Sequence, residues 1–398
     1  MIMSSPAVQK KANIPELQLV RAMAILGVLS VHSTSYAVNA MKESSYFVLY
    51  NFFNIFMKFG TTTFIFLSSF VLFYNYYSRP LDKKLIGGFY KKRLLYIIVP
   101  YLFFSVLYFV TLHYMYYPTR SLADTVDSFI SKVTTGKAYT HLYFVYISIQ
   151  FYVLFPLFLW LFKKFPKLVP WAFAGGLLIQ WGFFIVNKYV LVEQVHNRGS
   201  WSLSYFSYYF LGAVLGIYYP KIKAWIIIAK ENASTARVVA WVGLWTLWLA
   251  AGLTHVYIYY LDRMKIYTAN STLFDLVWNV HAMLTALVLL QFGHLLYRKL
   301  SAIPNKLVSS LGALSFGIYL IHPYFLLFYR EHAPNTGTAW LLHLWYLGGF
   351  ALALFASWIV VYLVGRFVPF SWIFFGNLPK KKKRAPLQPV VPERQLDA

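Results

Sequence analysis

The chain has 398 residues, 59% of them hydrophobic, 21% aromatic and only 12% charged, with a formal net charge of +24 at pH 7. That balance excludes a soluble globular domain. With no cysteine there are no disulfides, thiolate metal sites, thioester acyl-enzymes or palmitoylation. The basic residues sit in short stretches between apolar runs, which is how helices are oriented in a bilayer and drawn to anionic headgroups. The expected partner of this charge is the lipid bilayer; no nucleic acid is expected.

In chain order, apolar runs of about 17–25 residues predict ten spans. They cover 17–37, 51–76, 94–116, 142–162, 169–187, 201–219, 238–260, 273–297, 307–329 and 339–363. The second is overlong, and 46–59 reads as an interfacial lead-in to a span beginning near Gly60. Sorted by alternate sides, 25 Lys and Arg fall on one face and 9 on the other. The predicted fold class is therefore an all-α, polytopic membrane helix bundle of about ten transmembrane helices with both termini cytoplasmic. Lys10 and Lys11 before an apolar run resemble a signal peptide, but Arg21 interrupts that run, so an uncleaved first span is expected. The loop 117–141 is the longest outside and suits a cover over a substrate entrance. Residues 1–375 form the membrane domain, and 376–398 a basic, Pro-rich, disordered cytoplasmic tail. Nothing in the sequence sets an oligomeric state.

The first span carries two ionisable groups, Arg21 and His32, eleven residues apart. At about 100° per residue they return to within roughly 20° of one direction, and at about 1.5 Å per residue they stand roughly 16 Å apart. Such groups inside a span face a protein interior or a wet cavity and mark a functional path. His322, fifteen residues into the ninth span, reaches the same depth as His32, roughly 22 Å from the start of its helix. His141 stands at the mouth of the fourth span. A histidine suits taking a proton from a hydroxyl as it attacks an acyl carbonyl. A permanently charged, forked arginine suits a phosphate or an acyl oxygen.

Other polar positions have plainer readings. His113, His255, His281, His294 and His343 read as hydrogen-bonded packing residues, and Ser68 and Ser69 as small residues at a helix contact. The cluster Lys91, Lys92 and Arg93 serves equally as an orientation signal or a seat for a phosphorylated cofactor. Asp275, inside the eighth span, calls for a His or Arg partner. No metal-ligand spacing, P-loop or dinucleotide fingerprint occurs, and no metal is expected.

The stretches LVRAMAILGVLSVHS, FIFLSSFVLFY, FYKKRLLYIIVPYLFFS, HLYFVYISIQFYVLFPL and LGALSFGIYLIHPYF, in that order, resemble the acyltransferase 3 family of integral-membrane acyltransferases, over about 14–363. The Arg-x10-His spacing of Arg21 and His32 is the family's most specific mark. The resemblance implies transfer of an acyl group, commonly acetyl, from cytoplasmic acyl-CoA to a hydroxyl of a cell-surface or exported glycan, at the plasma membrane. It implies that Arg21 and His32 belong to the catalytic centre. On this reading Arg93 assists donor binding and His141 and His322 shape the acceptor side. The sequence departs from the family pattern where Gln18 replaces an Asp three residues before the arginine, with Glu16 two earlier. Ser68-Ser69 stands for Ser-Gly, Tyr143 for the Trp of His-Leu-Trp-Phe, and Tyr96 for the second arginine of an Arg-x-x-Arg pair. The alternative from another class is a transporter or flippase for a polysaccharide or lipid-linked glycan, since buried His and Arg also line transport paths.

Overall fold

A computed structural model describes residues 12–334 and 338–379, and no strand occurs among them. Lys10, Lys11 and the tail from 380 onward lie outside the described residues. The chain opens with α1 (Leu17–Thr34), the short α2 (Ala37–Ala40), α3 (Phe47–Phe56) and α4 (Gly60–Tyr76). Next, α5 (Lys83–Arg93) runs through a π-helical turn at Leu94–Ile98 into α6 (Val99–Tyr116). The amphipathic α7 (Leu122–Thr134) occupies the predicted outer loop, followed by α8 (Tyr143–Lys164), α9 (Ala172–Tyr189) and α10 (Phe206–Ile226). Four long helices follow, α11 (Thr235–Arg263), α12 (Ser271–Lys299), α13 (Ala302–Arg330) and α14 (Ala339–Phe367), then a single turn, α15 (Trp372–Phe375).

Each of the ten predicted spans falls on one of these helices, and α3 is the lead-in expected before Gly60. Nine helical stretches among the described residues are long and apolar enough to cross a membrane. The tenth, α10, is 21 residues long but carries Tyr208, Tyr209, Tyr218, Tyr219, Lys221 and Lys223, which lower its apolarity. Its position accounts for that composition. It packs between α4 and α9, so Tyr208 and Tyr209 are fully buried in protein, where their hydroxyls escape hydrocarbon.

Local chemistry sets the breaks. Ser33 and Thr34 donate their hydroxyls to the carbonyl of Ser30 at 3.1 and 2.7 Å, and Ser35 donates to that of Val31 at 2.6 Å. These back-bonds compete with the helical ladder, and α1 ends just after His32. Further on, Pro100 has no N–H for the carbonyl of Tyr96, and the helix widens into its π turn at that point.

The first helix is the hub. It contacts α3, α4, α12, α13 and α14, and Leu19, Val20, Ala22, Ala24, Ile25 and Leu29 on it have no exposed surface. Two close approaches hold the surrounding bundle. Gly212 and Gly216 of α10 lie on the backbone of α4, where an added Cβ would come within 2.3 Å of the Phe66 carbonyl oxygen and 2.4 Å of that of Phe70. This is a small-xxx-small contact, and Ser69 adds a 2.6 Å hydrogen bond to the Tyr209 carbonyl. On the other side Gly312 of α13 meets α1, where a Cβ would stand 1.8 Å from the Gln18 carbonyl oxygen.

Backbone cannot yield as a flexible side chain does, so Gly312→Leu is expected to cost at least the 1–3 kcal/mol or so of an overpacked core. A thermal melt in detergent should show a midpoint several degrees lower. Gly243→Leu, where nothing lies within 4 Å, should melt like wild type.

Candidate active site

The bundle brings three of the sequence-predicted residues together. Ring centroids of His32, at the end of α1, and His322, in α13, lie 5.1 Å apart in an edge-on contact. His322 and His141, just before α8, lie 5.7 Å apart. His141 and His322 are fully buried and His32 is half-buried.

The local sequence explains how His322 is held. The following residue, Pro323, lacks the N–H that would bond the Tyr319 carbonyl four residues back. That carbonyl accepts instead from Nδ1 of His322 at 2.9 Å, with the Ile318 carbonyl sharing the proton at 3.1 Å. A carbonyl only accepts, so Nδ1 carries the hydrogen and Nε2 presents a lone pair. His141 has the opposite tautomer: Nε2 donates to the Leu320 carbonyl at 3.1 Å, and Nδ1 is the bare nitrogen. Neither bare nitrogen has a partner among the described residues. Tyrosines hold the frame. Tyr108 donates to the Leu320 carbonyl at 2.9 Å, and Tyr319 donates to the backbone carbonyl of His141.

On its exposed side His32 lines a cleft of about 710 Å³, within the usual range of small-molecule sites. The walls come from α1, the break between α3 and α4, α4, α9, α11, α12, α13, the start of α8 and the segments 136–140 and 197–205. The loop expected to cover a substrate entrance thus supplies one wall. Within the cleft Asp275 has the partner its position calls for, Arg198 at 2.6 Å. Arg330, at the end of α13, donates from Nη2 to the His32 carbonyl at 2.5 Å and stacks on Tyr36 with its guanidinium carbon 4.1 Å from the ring centre. A cation at that place complements the carbonyl end of α1.

The other end of α1 carries a second cluster. Arg21 donates to the Gln18 side chain at 3.5 Å, so the residue standing for the family's Asp still faces the arginine. Arg93 lies over the rings of Tyr152, at 4.5 Å, and Phe89, at 5.2 Å. Arg21 is within electrostatic range of both Arg93 and Tyr152, and the Tyr152 hydroxyl shares a 3.2 Å hydrogen bond with Ser68. Glu16 is engaged elsewhere, 3.4 Å from His294. Among the described residues neither guanidinium has a carboxylate partner, so both cations stand without a counter-ion.

Four of the five histidines read as packing residues have local hydrogen-bond partners: Nδ1 of His255 faces Nδ1 of His281 at 3.1 Å, His294 meets Tyr219 at 3.1 Å, and His343 meets Tyr50 at 2.5 Å, while His113 has a ring contact with Tyr114. Sequence reasoning missed Arg330, Tyr152 and Arg198 as parts of the two sites. Lys58 falls within the predicted span 51–76, and its position in the chain assigns it no role. Two signals were present: a His-Pro dipeptide in an apolar run, and a lysine inside a predicted span.

A chain with nine helical stretches, among the described residues, long and apolar enough to cross a membrane is a polytopic helical membrane protein. The family model for the acyltransferase domain, acyltransferase 3, matches residues 14–362, and the chain belongs to that family. No curated protein and no solved structure matches it. The protein is a multi-pass membrane acyltransferase.

The Arg330 bond ties α13 to the end of α1. Arg330→Gln is expected to cost about 1.5–3 kcal/mol, the range for a hydrogen bond to a charged group. It should appear as a lower melting midpoint with α-helical content unchanged by circular dichroism.

Proposed function

We propose that the protein is an O-acyltransferase of the plasma membrane, moving an acyl group, in the first instance acetyl, from cytoplasmic acyl-CoA to a hydroxyl of a cell-surface or exported glycan. The observation that carries this reading is the division of labour along α1: His32 beside an open cleft at one end, and at the other Arg21, which like Arg93 of α5 lacks a carboxylate. The guanidinium pair fits a donor rich in phosphate, because forked cations bind phosphate oxygens in a bidentate manner. Arg21 and Arg93 hold the donor on the cytoplasmic side, and the acceptor sits in the cleft on the opposite side. The acyl-bearing arm of the donor spans the roughly 16 Å between them, as the helical rise sets it.

At the reacting centre His32 takes the proton from the acceptor hydroxyl as its oxygen attacks the thioester carbonyl carbon. The C–O bond forms, the C–S bond breaks, and the proton passes from His32 to the departing thiolate. The products are an ester and free thiol. His322, in contact with His32 and with a bare Nε2, supports the imidazole that gains the proton. His141 positions His322 and the floor of the acceptor side. Without cysteine in the chain, no thioester enzyme intermediate forms.

Purified protein in nanodiscs, given acetyl-CoA and candidate glycans, should release thiol in an acceptor-dependent manner. His32→Ala is expected to lose at least the 10²-fold typical of a positioned base, with normal membrane levels. Arg21→Ala should chiefly raise KM for the donor. Acceptor-dependent release unchanged in His32→Ala would remove that residue from the mechanism. Glycan movement into proteoliposomes without thiol release would replace the enzyme with a transporter.

A further inference from the structure

The cleft beside His32 has an unbalanced charge. Four charged side chains line it: Lys58, Lys137, Arg198 and Asp275. Arg198 and Asp275 neutralise each other at 2.6 Å, and the two lysines have no ion-pair partner among the described residues. Lys137 is exposed, at the mouth, whereas Lys58 is half-buried in the break between α3 and α4. Its ammonium lies 4.9 Å from the centre of the Tyr259 ring, another wall of the cleft. A second cation stands at the same ring, the Arg263 guanidinium carbon lying 5.6 Å from the centre of Tyr259. Arg263 is bound to the neutral side chains of Asn51 and Asn54 at 2.9 and 2.8 Å, not to a carboxylate. A partly desolvated ammonium without a counter-ion is costly, and an anion arriving in the cleft relieves that cost. Several of the remaining lining residues are aromatic, with Tyr143, Tyr205, Tyr259 and Trp278 among them. Flat rings of this kind stack against the C–H faces of sugars.

We infer that the acceptor is an anionic glycan, whose carboxylate or phosphate group is held by Lys58 while a hydroxyl of the same or the adjoining sugar faces His32. The inference deepens the acyltransferase reading above and rests on it. Lys137 at the mouth attracts the charged chain, and Lys58 fixes its register. A long-range attraction to the mouth weakens as salt shortens the Debye length to about 8 Å at physiological strength, whereas a half-buried contact at Lys58 is screened less.

The test compares matched acceptors in the thiol-release assay with the whole protein in nanodiscs. One pair is trigalacturonate and its carboxyl-reduced form; the other is maltotriose 6-phosphate and maltotriose. At least one charged member should show kcat/KM ten-fold or more above its neutral partner, and which pair shows it separates carboxylate from phosphate. Lys58→Gln should raise KM for that charged acceptor about ten-fold and narrow the gap to its neutral partner, with an unchanged melting midpoint. Lys58→Arg should keep the preference. Equal turnover of charged and neutral members, or a preference that survives Lys58→Gln, would overturn the inference while leaving the enzyme in place. No thiol release with any glycan would remove the acyltransferase reading itself, and the inference with it.

Discussion

An arginine and a histidine on one face of an apolar helix cannot be left facing lipid, and most of this structure follows from that constraint. A charge in hydrocarbon must be surrounded by protein or water, so α1 is enclosed by five other helices. The enclosure is tight. Gly312 lets the α13 backbone approach the carbonyl of Gln18, one turn before Arg21, and no larger residue fits there. The same crossing runs along the two helices to the point where His322 meets His32. The contact that shields the charged end of α1 therefore also sets the geometry at the imidazole end.

The two ends are chemically unlike, and the difference arises from hydrogen-bond accounting. At the histidine end the ring protons of His141 and His322 are directed at backbone carbonyls. Pro323 releases one of these carbonyls, and α13 supplies the other from Leu320. What remains on His141 and His322 is a pair of lone pairs in a region with no other donor to claim them. At the arginine end the reverse holds. Guanidinium donors are abundant, Glu16 is diverted to His294, and Gln18 is neutral. One end can accept protons and the other can accept anions. The proposed transfer, from a cytoplasmic donor to an external acceptor, calls for both properties, separated by a substantial part of the membrane thickness.

Much of this is legible in the order of the amino acids. The ten apolar runs are ten helices, and the lead-in before Gly60 is α3. Arg21 and His32, eleven residues apart, do share one continuous helix, and the equal depth of His32 and His322 is realised as a ring contact. The basic partner that Asp275 calls for is Arg198, but no periodicity could have named it, because the two lie on separate segments 77 residues apart in the chain. Lys58 is visible as a lysine inside a span. That it lines the cleft and not a lipid-facing surface depends on the angle at the α3–α4 break. Likewise α10 is recognisable as a span, while the reason for its tyrosines lies in its burial between α4 and α9.

The sequence by itself determined the elements, because crossing a bilayer demands long apolar helices and because proline, serine and glycine act on the backbone within one turn. It also determined which residues could carry chemistry, since an ionisable group inside an apolar run stands out against its neighbours. The tertiary structure alone decided which helix lies beside which, and so which polar groups are consumed by partners and which stay free. Helix pairing is fixed by close approach between residues hundreds of positions apart, as with Gln18 and Gly312, and such complementarity has no signature in either stretch taken singly. The bare nitrogens of His141 and His322, the unopposed guanidiniums of Arg21 and Arg93 and the unbalanced lysine in the cleft are all products of that pairing.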